Sequence, residues 1–223
     1  MPDFNTLINL ANSLDPNRDQ CPIPVRTHSL EKVMGLVNNN VSIRAAWDVL
    51  FQGRDHIELS RNGVRNTANN PGLFVLSVLI WGFPTNQHGA VRYVLESWDN
   101  VIQYTQDILD NPSITSERFC SHFVPFINKT HKVALAFFSK LMYFARATID
   151  GCKCAILDNF VYHGINCIHD NRLDRLRESV SRYRNKYESY ADYVINLSEL
   201  NEDTQLQVEI DRLEYAFFII GKG

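Results

Sequence analysis

No apolar run in the 223 residues is long enough to cross a bilayer: the longest, PGLFVLSVLIWGF, is about thirteen residues, where a spanning helix needs about twenty. That run reads as a buried helix. The opening MPDFNTLINL lacks the basic stretch ahead of an apolar core that marks a secretory leader, so a cytoplasmic protein is expected. Cysteine is sparse and odd in number, five, with no framework spacing, which points to free thiols in a reducing compartment. Positive charge is not in excess either: 22 Lys and Arg stand against 25 Asp and Glu, for a net charge of −3. Proteins that grip nucleic acid through phosphates mostly carry a basic surface, so an overall basic coat is excluded and only a local patch is open. Repeats, low-complexity stretches and convincing strand ladders are missing too.

What is present is helical spacing and aromatic bulk. Thirteen Phe, nine Tyr and three Trp favour a packed core or a pocket lined with flat faces. DFNTLINLANSL sets Phe4, Leu7, Ile8 and Leu10 or Ala11 on one stripe. QCPIPVR reads as a proline-ruled link, and HSLEKVMGLVNNN and VSIRAAWDVLFQG as two helices, the second opened by Ser42 and closed by Gly53. RDHIELSRNGVRNTANN reads as a loop, with a short extended piece at most. Asn70-Pro71 is a cap followed by a first-turn proline, and the helix after it is apolar on nearly every face, as a central core helix must be. PTNQHGAVRYVLESWDNVIQYTQDILDN gives one or two helices, and PSITSERFCSHFVPFI another, capped by Ser113 or Thr115. A long charged helix is expected from about Asp170 to Leu197, and a last one from about Glu202 to Ile220. The fold class is all-α, with about nine to eleven helices.

Charge is unevenly spread. Six basic residues fall between Arg172 and Lys186 against Asp174 and Glu178, whereas eight acids follow Lys186 against Arg212 and Lys222. A basic patch and a solvated helix face of mixed charge both fit this pattern. Cys152, Cys154, His163, Cys167 and His169 are dense enough to raise zinc, but C-x-C is tight for one metal and buried thiols account for the cysteines better. No metal and no cofactor are expected.

The residues that carry chemistry lie in ALAFFSKLMYFARATIDGCKCAILDNFV, which holds Lys140 inside an apolar segment and Asp158 eighteen residues later at a helix start. A desolvated amine can act as a nucleophile, and a capped carboxylate beside it can stabilise positive charge developing on a sugar. The plainer alternative is a lysine that snorkels to water and an aspartate that only caps.

FFSKLMYFARATIDGCKCAILDNFV resembles the catalytic core of the helix-hairpin-helix DNA glycosylases, in which a lysine at the head of a helix is followed about eighteen residues on by an aspartate at the start of the next. PGLFVLSVLIWGFPTN is similar to the first core helix of a distant bacterial 8-oxoguanine-glycosylase-like branch. The chain departs from the family where the usual hairpin glycines give way to ALAFFS. The resemblance implies one two-lobed helical domain with a cleft between lobes, of which residues 41–170 form the core and residues 1–40 with 171–223 the second lobe. It implies a glycosylase for a modified purine, oxidised or deazaguanine-like, with Lys140 as nucleophile and Asp158 as general base or electrostatic stabiliser. Lys129, His131, Lys132, Arg172 and Arg175 would contact nucleic acid, and Phe217 and Trp81 would meet the base. Members of the resembled branch look like parts of antiviral defence clusters, so a protein partner from such a cluster is a further expectation. The rival reading is a helical scaffold that binds a protein or a free modified base without cleaving DNA.

Overall fold

A computed structural model describes residues 2–84, 90–129, 134–182, 187–203 and 208–223. The described chain is all-α, with only two small sheets. Helix α1, Phe4–Ser13, starts where the Asp3 carboxylate accepts the Thr6 amide at 2.8 Å, and it buries Phe4, Leu7 and Ala11. A single turn, α2 (Pro16–Asp19), follows. QCPIPVR is more than a link: Ile23–Arg26 form strand β1, which pairs antiparallel with β2, His56–Leu59, inside the expected loop. Between the two strands lie a 3₁₀ turn, Thr27–Val33, then α3 (Met34–Asn39) and α4 (Val41–Phe51). The cap of α4 is Asn40, whose side chain accepts the Ser42 and Ile43 amides. Ser42, expected in that role, instead accepts the Trp98 indole N–H at 3.2 Å. Then come α5 (Arg61–Arg65), α6 (Pro71–Gly82), α7 (Ala90–Glu96) and α8 (Trp98–Asp110). Helix α6 opens as expected, with the Asn70 side chain accepting the Leu73 amide at 3.0 Å.

The second half begins with β3, Ser113–Ile114, and α9 (Ser116–Arg118), which Thr115 caps by accepting the Arg118 amide at 3.1 Å. A π-helical turn, Phe119–Phe123, leads into α10 (Val124–Lys129), and α11 runs over Ala134–Phe144. Strands β4 (Thr148–Ile149) and β5 (Cys152–Lys153) follow as a hairpin, with β3 parallel beside β4. Asp150 and Gly151 form its two-residue turn at φ 48° and 81°, both left-handed, which is the turn whose twist suits a tight hairpin and which favours Asp-Gly. The Asp150 carboxylate accepts both the amide (3.1 Å) and the hydroxyl of Ser116. The chain ends with α12 (Asn159–Cys167), α13 (Asp174–Arg182), α14 (Ser189–Asp203) and α15 (Ile210–Lys222). The single charged helix expected over 170–197 is therefore two, and the last helix starts eight residues later than expected.

The chain splits into two compact units, Met1–Asp19 with Ser113–Gly223 and Gln20–Pro112. In the first of these, α1 packs on α15. In the 20–112 unit, α6 is the centre: every residue from Phe74 to Trp81 is buried, and α4 and α8 pack against it. In the other unit the closest pairing is α12 with α15. A Cβ on Gly164 would overlap the Phe217 carbonyl oxygen, and one on Gly221 would overlap the Phe160 carbonyl oxygen. The two helices meet backbone to backbone, and only glycine at the crossing permits it.

Candidate active site

Helix α11 is apolar on nearly all sides, and its residues from Phe137 to Phe144 are all buried. Lys140 sits in the middle of it. Its side chain is only 5% exposed, so the amine does not snorkel to water; it donates to the Asp158 Oδ2 at 3.1 Å and lies 3.4 Å from the Ala136 carbonyl. The lysine is thus delivered by a helix interior and not by a helix head. ALAFFS, aligned above with the glycine-bearing hairpin, is itself part of α11.

Asp158 is the cap of α12. Its Oδ1 accepts the Phe160 amide at 3.1 Å and the Val161 amide at 3.2 Å, which leaves Oδ2 for the lysine. The side chain is 19% exposed. Burial pushes this carboxyl up, but the Lys140 charge and the two amides more than offset it, and the group rests below the ordinary 3.8. The eighteen residues from Lys140 to Asp158 have a structural account: they finish α11, form the Asp150-Gly151 hairpin, and return as an extended segment that places the cap of α12 beside the amine.

The other expected residues fare differently. Lys129 ends α10 with its side chain outside the described residues, and His131 and Lys132 lie outside them altogether. Arg172 makes two hydrogen bonds of 2.8 Å to the Asp170 carboxylate and lies over the Phe4 ring at 3.6 Å. Arg175 is 79% exposed and pairs with Glu199 at 3.2 Å. Both line a cavity of about 270 Å³ between α13 and α14, together with Leu176, Asn196 and Glu199. Phe217 is fully buried, with its ring packed in the core. Trp81 is buried in the 20–112 unit with the Arg61 guanidinium 5.6 Å from its ring centre. Cys154 is buried and Cys152 half-buried, but Cys167 is exposed, which corrects the reading of that group as buried thiols; Cys21 is exposed as well. Among the described residues no three His, Cys, Asp or Glu gather as a metal site.

Some residues at the site were not singled out by sequence. Phe160, two positions past the Asp158 cap, is 44% exposed; its ring meets Phe218 edge-on at 5.3 Å, and Phe218 stacks on Tyr215 at 5.9 Å. Its place in the first turn of α12 was the available signal. Glu214 is buried on α15 within electrostatic reach of Tyr190 and Tyr193.

The chain is all-α in class, with a lysine buried against a helix-capping aspartate eighteen residues on. Residues 24–218 match the family described as "Putative 8-oxoguanine DNA glycosylase OGG-like protein". The match covers most of the chain, and the chain belongs to this family. Comparison with curated proteins gave no match, and comparison with solved structures gave none. No helix among the described residues is long and apolar enough to cross a membrane.

Proposed function

We propose that the protein is a DNA N-glycosylase that removes a modified purine, oxidised or deazaguanine-like, with Lys140 as nucleophile and Asp158 as its carboxylate partner. Family membership supports the activity class. The observation that carries the assignment is the 3.1 Å contact between an amine and a carboxylate that are 5% and 19% exposed, since a structural ion pair gains little from such burial. In the reaction the amine hands a proton to Asp158 and bonds to the sugar C1′. The C1′–N9 bond breaks, its electron pair leaves on the base, and Asp158 passes the proton it took from the amine to the departing base, which restores the carboxylate. The carboxylate faces the positive charge that builds on the sugar. Asp158 then takes a proton from the new C1′ amine and passes it to O4′ as the C1′–O4′ bond breaks, which leaves a Schiff base on Lys140. Phe160 and Phe218 form an aromatic lip beside the cap, which suits an extruded base. Arg172 and Arg175 are the cations that would meet phosphate.

Borohydride trapping on duplex DNA containing 8-oxoguanine tests this reading. A covalent adduct is expected with the native protein and none with Lys140→Gln. No adduct with any oxidised or deazapurine duplex defeats it. A second reading, a helical binding scaffold, is favoured by one observation: Arg172 and Arg175 already face Asp170 and Glu199. It predicts retention of a free modified base without cleavage. A role in antiviral defence rests on the resemblance alone, and phage plating on cells with and without the protein tests it.

A further inference from the structure

Asp158 ends the extended segment that links β5 to α12. Three buried hydroxyls take the peptide groups ahead of it. Tyr190 donates to the Ala155 carbonyl at 2.8 Å, and Tyr193 to the Ile156 carbonyl at 3.0 Å. The Ser139 oxygen accepts the Leu157 amide at 3.1 Å, while its own proton faces the carbonyls of Ala136 at 3.1 Å and Leu157 at 3.3 Å. The peptide joining Ile156 to Leu157 is therefore gripped at both ends, its carbonyl from α14 and its amide from α11. The Ala136 carbonyl also lies 3.4 Å from the Lys140 amine. One serine thus spans the carbonyl beneath the lysine and the peptide next to the aspartate. All three hydroxyl residues are 0% exposed, so water does not compete for these bonds.

Buried peptide groups need partners, but strand pairing would serve that need equally well. Side chains from two separate helices do something more: they fix the orientation of successive peptide planes, and through them the direction in which Asp158 leaves the backbone. Reactive groups must be held within about 0.5 Å of their productive geometry, which a loop without such ties does not achieve. We propose that Ser139, Tyr190 and Tyr193 are positioning residues that hold the Asp158 carboxylate against the Lys140 amine. The role rests on the reading of that pair as the reactive centre.

The test uses Tyr193→Phe and Ser139→Ala in the full chain, with two readouts. Carbon-13 NMR follows the titration of the Asp158 carboxyl, and single-turnover excision on 8-oxoguanine duplex is measured beside the DNA dissociation constant. With the carboxylate less well seated on Lys140, Asp158 is expected to titrate about half a unit or more higher than in the native protein. Excision is expected to slow about tenfold with DNA affinity unchanged, the pattern of a group that acts on the chemical step and not on binding. A purely structural role would lower the melting temperature and move neither. An unchanged titration in a folded variant, or an unchanged rate in an active one, overturns the proposal. If Ser139→Ala does not fold, Tyr193→Phe decides, since it removes one oxygen and keeps the ring. If the native protein neither excises nor traps, the glycosylase reading fails, and the carboxyl titration alone decides whether the clamp seats Asp158.

Discussion

Lys140 reaches neither end of its helix nor the solvent, so its amine depends on Asp158 and on the Ala136 carbonyl. Lys140→Met keeps the volume and removes the charge, leaving a part-buried carboxylate with only its capping amides. Denaturant melts near neutral pH are expected to show a loss of about 3 kcal/mol, as for other buried pairs stripped of one partner. The acid response follows from the same contacts. The folded carboxyl of Asp158 lies below its unfolded value of 3.8, so its stabilisation is complete above that value and is lost as pH falls through the folded one. In Lys140→Met the Asp158-linked loss should be smaller, because the charge that lowers its carboxyl is gone, and stability measured against pH reads it. The thiols give an independent check on burial. Burial pushes the Cys154 thiol up to about 12, despite the opposing effect of its hydrogen-bond contact with Tyr190. A thiol reagent at mildly alkaline pH should label Cys21 and Cys167 in the native protein and Cys154 only after unfolding. At this scale the spacing of Lys140 and Asp158 was legible in the sequence, because a helix cap and a stranded lysine are local signals. The hydroxyls of Tyr190 and Tyr193 were not, because they act on a segment more than thirty residues away.

Among the elements, those that bury a stripe or a full helix were readable and the short ones were not. Helix α6 announced itself by its cap, its proline and its uniform apolarity. Strands β1 and β2 are four residues each, too short to show a period, and β1 buries only Val25. The break between α13 and α14 has no glycine or proline to mark it, so their charged pattern read as one helix. The crossing of α12 and α15 supplies the sharpest prediction. Gly164→Ala or Gly221→Ala inserts a methyl group where a backbone carbonyl already stands, and each should cost about 3 kcal/mol in denaturant melts. The Asp158 cap rides on α12, so excision should fall with stability in both variants. Gly151→Ala, in an exposed turn at φ 81°, should cost only about 1 kcal/mol and leave excision intact.

For the whole molecule, the acidic balance limits how DNA is met. With a net charge of −3, affinity must come from a few local cations, and Arg175 is the most exposed arginine in the groove between α13 and α14. Arg175→Ala should weaken DNA binding evenly across sequences and reduce the slope of log affinity against log salt by about one. Fluorescence anisotropy over a salt series measures both. The all-α class was legible because apolar spacing repeats along most of the chain, while the packing of α1 on α15 was not, since it joins residues far apart in sequence. Such packing sets an order on biosynthesis. As the polypeptide leaves the ribosome, the 20–112 stretch is the first able to finish folding, whereas α12 waits for the glycine-matched surface of α15, translated after it. The nascent chain therefore carries Asp158 on a helix without its packing partner until α15 has been made.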